Sequence, residues 1–172
     1  RCRSVRAAGD LRVRETELVN YPYIIDVRRE GLNAGSGITE NLGQVYVPWA
    51  SPITVNYKSN DSLTVTPLLS SSRQSWTSSS QEILPDFEAY PEMGFELQSQ
   101  NTQAHVLATM IEGSFAENGI QDSPSRLIIV GSGALFTDNF IDQMSNVLRN
   151  EYRRPVQLIL NLIDWSLEDQ DF

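Results

Sequence analysis

The chain has 172 residues, 40% of them apolar, 20% charged and 9% aromatic, a composition suited to one globular domain that buries a core without a metal or a disulfide framework. One cysteine, Cys2, and one histidine, His105, exclude disulfide scaffolds, cysteine-ligated zinc and any site that needs two imidazoles. With 13 basic against 22 acidic residues the formal charge is −9, which argues against nucleic acid or anionic lipid as a partner.

The charge is segregated along the chain. Arg1, Arg3, Arg6, Arg12, Arg14, Arg28 and Arg29 crowd into the first 30 positions, and residues 1–20 read as an arginine-rich segment, extended or disordered, ahead of a single domain over 21–172. Tyr23 to Val27 is rich in β-formers and is entered through Tyr21-Pro22, which reads as a strand. Gly31, Gly35 and Gly37 mark a loop, Ile38 to Leu42 a short helical turn ending at Gly43, and Gln44 to Val47 a second strand stopped by Pro48. Ile53 to Tyr57 is extended. After the turn signal Asn60-Asp61, Leu63 to Thr66 is a strand that Pro67 confines to a sheet edge or ends.

Serine and threonine dominate Ser59 to Ser80, but Leu63, Val65, Leu68, Leu69 and Trp76 are interleaved among them, which argues for packed structure over a linker. Residues 81–102 carry Pro85, Pro91 and Gly94 among acids and read as an exposed acidic loop. His105 to Ile111 and Arg126 to Val130 are continuous apolar runs of strand length, the pattern of strands covered on both faces. Phe136, Phe140, Met144, Val147 and Leu148 recur at helical spacing, and Pro155 opens a final helix that is apolar nearly all round and is therefore expected to be buried. Together these elements predict an α/β fold, a three-layer Rossmann-like (flavodoxin- or amidotransferase-like) domain with a mostly parallel or mixed sheet. No stretch reaches the ~18 apolar residues of a membrane helix. The chain has neither an initiating Met nor a signal peptide, and it reads as a piece of a longer protein.

Few residues carry chemistry. Val130-Gly131-Ser132-Gly133 lies between strand and helix, where backbone N–H groups can hold an anion, but it lacks the following Lys-Ser or Lys-Thr of a P-loop and the third glycine of a dinucleotide fingerprint. Ser132 as nucleophile with His105 as base, or Asp26 and Asp164 as paired carboxylates, would make a hydrolase. The alternatives are a plain tight turn, a strand-start histidine, and carboxylates bonded to backbone donors or to an arginine. The reading from the residues is therefore no assembled catalytic set, no cofactor and no metal.

Five phrases in order carry a resemblance: Tyr46-Val47-Pro48-Trp49-Ala50-Ser51-Pro52-Ile53; Thr66-Pro67-Leu68-Leu69-Ser70-Ser71-Ser72 with Ser75-Trp76; Val106-Leu107-Ala108 with Ile111-Glu112-Gly113-Ser114-Phe115; Leu127 to Ser132; and Asn161-Leu162-Ile163-Asp164-Trp165. Over about Tyr23 to Phe172 the chain resembles the GldG-like auxiliary component of ABC-type transport systems, a gliding-motility associated family. The resemblance implies a non-enzymatic, Rossmann-like domain on the extracytoplasmic face of the cell membrane. It would be attached through regions outside this chain, partnered by ABC-type permease and ATPase subunits, and able to bind a partner subunit or a small polar ligand such as a sugar. Trp49 and Trp165 would be core aromatics. Family members often carry acids after the late strand, whereas this chain reads Gly131-Ser132-Gly133-Ala134-Leu135. On an open α/β sheet a ligand sits beyond the carboxyl ends of the strands, so the candidate ligand or partner loop is Ser70, Ser71 and Ser72 with Gly131, Ser132 and Gly133. Two other readings are a hydrolase or amidotransferase-like enzyme on the same fold, and an adhesion or assembly module that meets a basic partner through the acids between Glu82 and Asp122.

Overall fold

The computed structural model describes residues 20–56, 63–80, 82–96, 101–115 and 125–167 in full, and residues 2–8 and 11–17 through their backbone pairing. The turn signal at Asn60-Asp61, the acids Glu117 and Asp122, and residues 97–100 of the acidic loop lie outside the described residues. The strands form three antiparallel sheets. Strands β1 (Cys2–Ala8) and β2 (Leu11–Glu17) pair with each other, with Ala8 opposite Leu11. Strands β3 (Ile24–Arg28) and β4 (Gln44–Pro48) make a second pair. Strands β5 (Leu63–Ser70), β6 (Val106–Gly113) and β7 (Ser125–Val130) make a third sheet with β6 in the middle.

Alternation orients the second sheet. Val27 opposes Val45 and Ile25 opposes Val47, so one face is aliphatic, while Asp26 opposes Tyr46 and Arg28 opposes Gln44 on the other. Val27, Val45 and Val47 are buried in the core. In the third sheet Pro67, which has no N–H to donate, lies in edge strand β5, where the ladder with β6 slips between Pro67 and Leu69 and again between Leu69 and Ser70.

Two stitches join these sheets. After β3, a single 3-10 turn (Arg29–Gly31) brings Leu32 into a bridge with Leu69, and Asn33 donates its backbone N–H to the Leu68 carbonyl (3.1 Å) and its Nδ2 to the Pro67 carbonyl (2.8 Å). The carbonyls that the irregular edge of β5 turns outward are thereby satisfied. After β4, Ser51 donates to the Gly131 carbonyl (2.7 Å) and Ile53 to the Val106 carbonyl (2.8 Å), which ties the chain to the end of β7 and the start of β6.

Both helices follow the last strand. Helix α1 (Asp138–Leu148) begins at Thr137, whose side chain accepts the Phe140 N–H, and buries Phe140 and Met144. Helix α2 (Arg154–Leu167) opens with Pro155 in its first turn and buries Pro155, Leu158 and Leu162. One hydrophobic core runs from Val27 and Leu42 through Leu68, Leu69 and Leu107 to Leu135, Phe140, Tyr152, Leu158 and Leu162.

This architecture corrects the expected three-layer Rossmann-like fold with a parallel or mixed sheet. Every strand pair is antiparallel, and no α-helix stands between two strands among the described residues. A parallel pair needs a crossover, usually a helix, and the helical periodicity here begins only after β7. The continuous apolarity of β6 has another cause: as the middle strand it buries Leu107, Ala108, Thr109 and Ile111. Its neighbour β7 leaves Leu127 exposed. Two further expectations are corrected. Trp49 is 45% exposed instead of being a core aromatic, and α2 buries only one of its two apolar faces.

Candidate functional site

A cleft of about 710 Å³ opens between the strand ends and the acidic loop. Its walls come from Tyr21 and Tyr23 before β3, Ala50 to Pro52 after β4, Ser71, Ser72 and Gln74 to Ser78 after β5, side chains of the acidic loop between Glu82 and Glu96, and His105 and Leu107 at the start of β6. Proline punctuation and dense hydroxyls keep these segments out of regular strands, so they gather as loops at one edge of the core.

Aromatic rings hold the loop in place. Tyr21 and Tyr23 donate their hydroxyls to the carbonyls of Ile83 (3.1 Å) and Glu82 (3.0 Å). Phe95, buried, meets both tyrosines edge-on at 5.7 and 5.9 Å between centroids. The loop also closes on itself: Gly94 accepts the Asp86 N–H (2.7 Å), and the Asp86 Oδ1 accepts from Glu88 (2.9 Å) and Ala89 (3.0 Å). Trp49 takes a left-handed backbone angle (φ 50°), donates its N–H to the Tyr23 carbonyl (2.7 Å), and stacks on the Tyr23 ring at 4.9 Å. A bulky residue at positive φ stores strain, offset here by that bond and stack.

The lining sets hydroxyls and carboxylates among aromatic and other apolar surface. Ser51, Ser72, Ser75, Thr77, Ser78 and Ser80 supply hydroxyls; Tyr21, Tyr23, Trp76, Tyr90 and Phe95 supply rings; Asp26, Glu82, Asp86 and Glu96 supply carboxylates; the lining contains no Lys or Arg. Asp26 accepts from Arg28 (Nε, 2.8 Å) and Gln44 (2.6 Å). Burial pushes its carboxyl up, but these hydrogen bonds and the Arg28 charge outweigh burial and hold it below its ordinary value. Asp26 therefore has the arginine partner that its apolar neighbours in sequence require, and Asp164 is exposed on α2.

The candidate loop residues do not converge. Ser71 and Ser72 line the cleft; Ser70, Gly131, Ser132 and Gly133 do not. Ser71 continues the ladder between β5 and β6, donating its N–H to the His105 carbonyl (2.9 Å) while its Oγ accepts the His105 N–H (2.9 Å). Ser72 is exposed and shares a hydrogen bond with Ser75 (3.3 Å). Ser132, 4% exposed, donates its hydroxyl to the Pro48 carbonyl. Gly131 sits where three segments meet: a Cβ there would come within 2.2 Å of the Ser51 carbonyl oxygen. Gly133 is exposed, with open space around it. No hydrogen bond joins any two of Ser132, His105 and Asp164, and the His105 Nε2 is buried without a hydrogen-bond partner among the described residues. No group of three or more His, Cys, Asp or Glu among the described residues is arranged to hold a metal ion, and no helix among them is long and apolar enough to cross a membrane.

Sequence reasoning did not single out the cluster of Tyr21, Tyr23 and Phe95. Its signal was present as aromatics flanked by Pro22 and Pro91, but only the folded chain brings the two proline-bounded segments together.

A family model described as an ABC-type uncharacterized transport system matches residues 6–162. Neither the curated proteins nor the solved structures contain a match to the chain.

Proposed function

The chain belongs to this family of ABC-type uncharacterized transport systems, and on that premise we propose that it is a non-enzymatic, extracytoplasmic domain of an auxiliary component working beside a permease and an ATPase. The closer likeness to the gliding-motility GldG-like group, and attachment to the cell membrane through segments outside this chain, belong to the same proposal. The single core from Val27 to Leu162 supports residues 21–172 acting as one domain to which residues 1–20 are appended.

The observation that carries the reading is the cleft. Its volume is that of a small-molecule site, and hydroxyls beside aromatic rings suit a polar ligand with apolar faces, such as a glycan. Carboxylates with no Lys or Arg in the lining disfavour phosphates and other anions. Ser72 and Ser75 are the hydroxyls offered to a ligand, and the Gly131–Gly133 loop is kept as a partner-facing candidate through its exposed Gly133.

The test is affinity purification of the tagged full-length protein from detergent-solubilised membranes. A co-purifying ATPase and permease are expected, and their absence under conditions that retain other membrane complexes counts against the transport role. A thermal-shift series of neutral mono- and disaccharides should raise the melting temperature of the native chain and lose that effect in Trp76→Ala. A uniform lack of shift rejects the glycan reading and leaves the partner-subunit reading to the purification.

A further inference from the structure

The fold uses some of the acids and rings of the cleft and leaves others free. Asp26 is held by Arg28 and Gln44, and Asp86 closes its own loop through the Glu88 and Ala89 N–H groups. Glu82 and Glu96, both exposed in the lining, have no ion-pair partner among the described residues. The rings divide in the same way. Tyr21, Tyr23 and Phe95 pack on one another, whereas Trp76, partly buried, and Tyr90, 39% exposed, have no ring contact and no side-chain hydrogen bond among the described residues.

His105 is a further group the fold leaves unanswered. It lines the same cleft, and its Nε2 is buried without a hydrogen-bond partner among the described residues. Folded proteins pair nearly all such atoms, so an unpaired one in a cleft wall points to a group that arrives with a ligand. An imidazole nitrogen that carries no proton accepts from an N–H donor. The free carboxylates and the faces of the free rings attract the same charge, and no Lys or Arg in the lining opposes them. A neutral ligand would use the rings and leave both carboxylates without a counter-charge. We propose that the ligand of this cleft carries a protonated amine, seated against the rings of Trp76 and Tyr90 and counter-charged by Glu82 and Glu96. The proposal rests on the cleft being a ligand site and goes beyond the glycan reading: an amino sugar satisfies both, a free alkylamine only this one.

NMR titration of the isotope-labelled 172-residue chain tests it, at fixed ionic strength and a pH that keeps the amines protonated. The probes are two pairs matched in shape, glucosamine against glucose and butylamine against butan-1-ol. In at least one pair the charged member should move the Trp76 indole N–H signal and bind about tenfold more tightly than its neutral counterpart. Success in the sugar pair assigns an amino sugar; success in the alkyl pair alone upholds the proposal while the glycan reading falls. Glu82→Gln and Glu96→Gln should each weaken that binding about three- to fivefold. Glu88→Gln and Glu92→Gln remove the same charge from the same loop outside the lining, and should change it less than about twofold. Equal binding by charged and neutral members overturns the proposal and leaves the glycan reading standing. Binding by none of the four probes, or equal losses in all four glutamine variants, which would reduce the effect to net charge, overturns it as well.

Discussion

Tyr152 shows how one polar atom can secure an edge. Its ring is buried, and its hydroxyl oxygen accepts the Tyr46 N–H at 2.7 Å, a donor that β4 presents on the side away from β3. Burial is the main cause that pushes its phenol up to about 12. In the unfolded chain a tyrosine ionises near 10, so between roughly pH 10 and 12 the folded state holds a proton that the unfolded state has lost, and stability falls as pH rises through that window. Tyr152→Phe should cost about 1–2 kcal/mol near neutral pH by stranding the Tyr46 N–H, and should weaken the alkaline fall; denaturant titrations at pH 7 and 11 would measure both. Gly131 is constrained by space instead of polarity. Its N–H donates to the Leu107 carbonyl (2.8 Å), and its own carbonyl accepts from Ser51. Gly131→Ala would force these strands apart, with an expected loss of about 2–3 kcal/mol in chemical denaturation; a loss under 0.5 kcal/mol would mean the crossing has slack.

At the scale of the element, α1 ends under strain. The residue that caps it, Arg149, takes a left-handed conformation (φ 54°), and its N–H closes on the Ser145 carbonyl. Glycine is the residue this position favours. Arg149→Gly should therefore raise stability by about 0.5–1 kcal/mol, read as a higher midpoint with an unchanged denaturant slope. Helix α2 is anchored on its buried side by specific bonds as well as by packing: Asn161 Nδ2 donates to the Ile38 carbonyl (2.7 Å), and Arg126 lies over the Trp165 ring at 4.9 Å. These bonds fix which apolar face of α2 turns inward. Hydrophobicity alone could not, because both faces are aliphatic.

At the scale of the molecule, two small sheets and two helices share one core because two loops, at Leu32-Asn33 and at Ser51 to Ile53, supply the hydrogen bonds between them. The acidic loop hangs on this frame through Tyr21, Tyr23 and Phe95. Tyr21→Phe with Tyr23→Phe keeps every ring contact and removes both hydroxyl bonds, so the loop should open locally. Amide exchange over residues 82–96 should speed up about five- to tenfold, with global stability lowered by less; unchanged exchange would mean the rings alone hold it.

How much of this was legible along the chain depends on the range of the force responsible. Local patterning placed β3, β4, β5, β6 and β7, the edge position of Pro67, α1, and Pro155 in the first turn of α2, because alternation, proline geometry and helical periodicity act between near neighbours in sequence. The ordered transport-family phrases were also readable there, and the family match over residues 6–162 contains the first four of them and the start of the fifth. Strand direction was not readable. The apolar run from Val106 to Ile111 fits the middle of an antiparallel sheet as well as a parallel one, and only its pairing partners decide between them. Nor was the cleft readable, since Tyr23 and Glu82 meet across 59 residues. The sequence by itself determined which residues would seek a core and what charge the chain would carry. Only the tertiary structure decided which face of α2 and which aromatics were left outside, because side chains of equal hydrophobicity compete for a core of limited volume and specific long-range hydrogen bonds settle the competition.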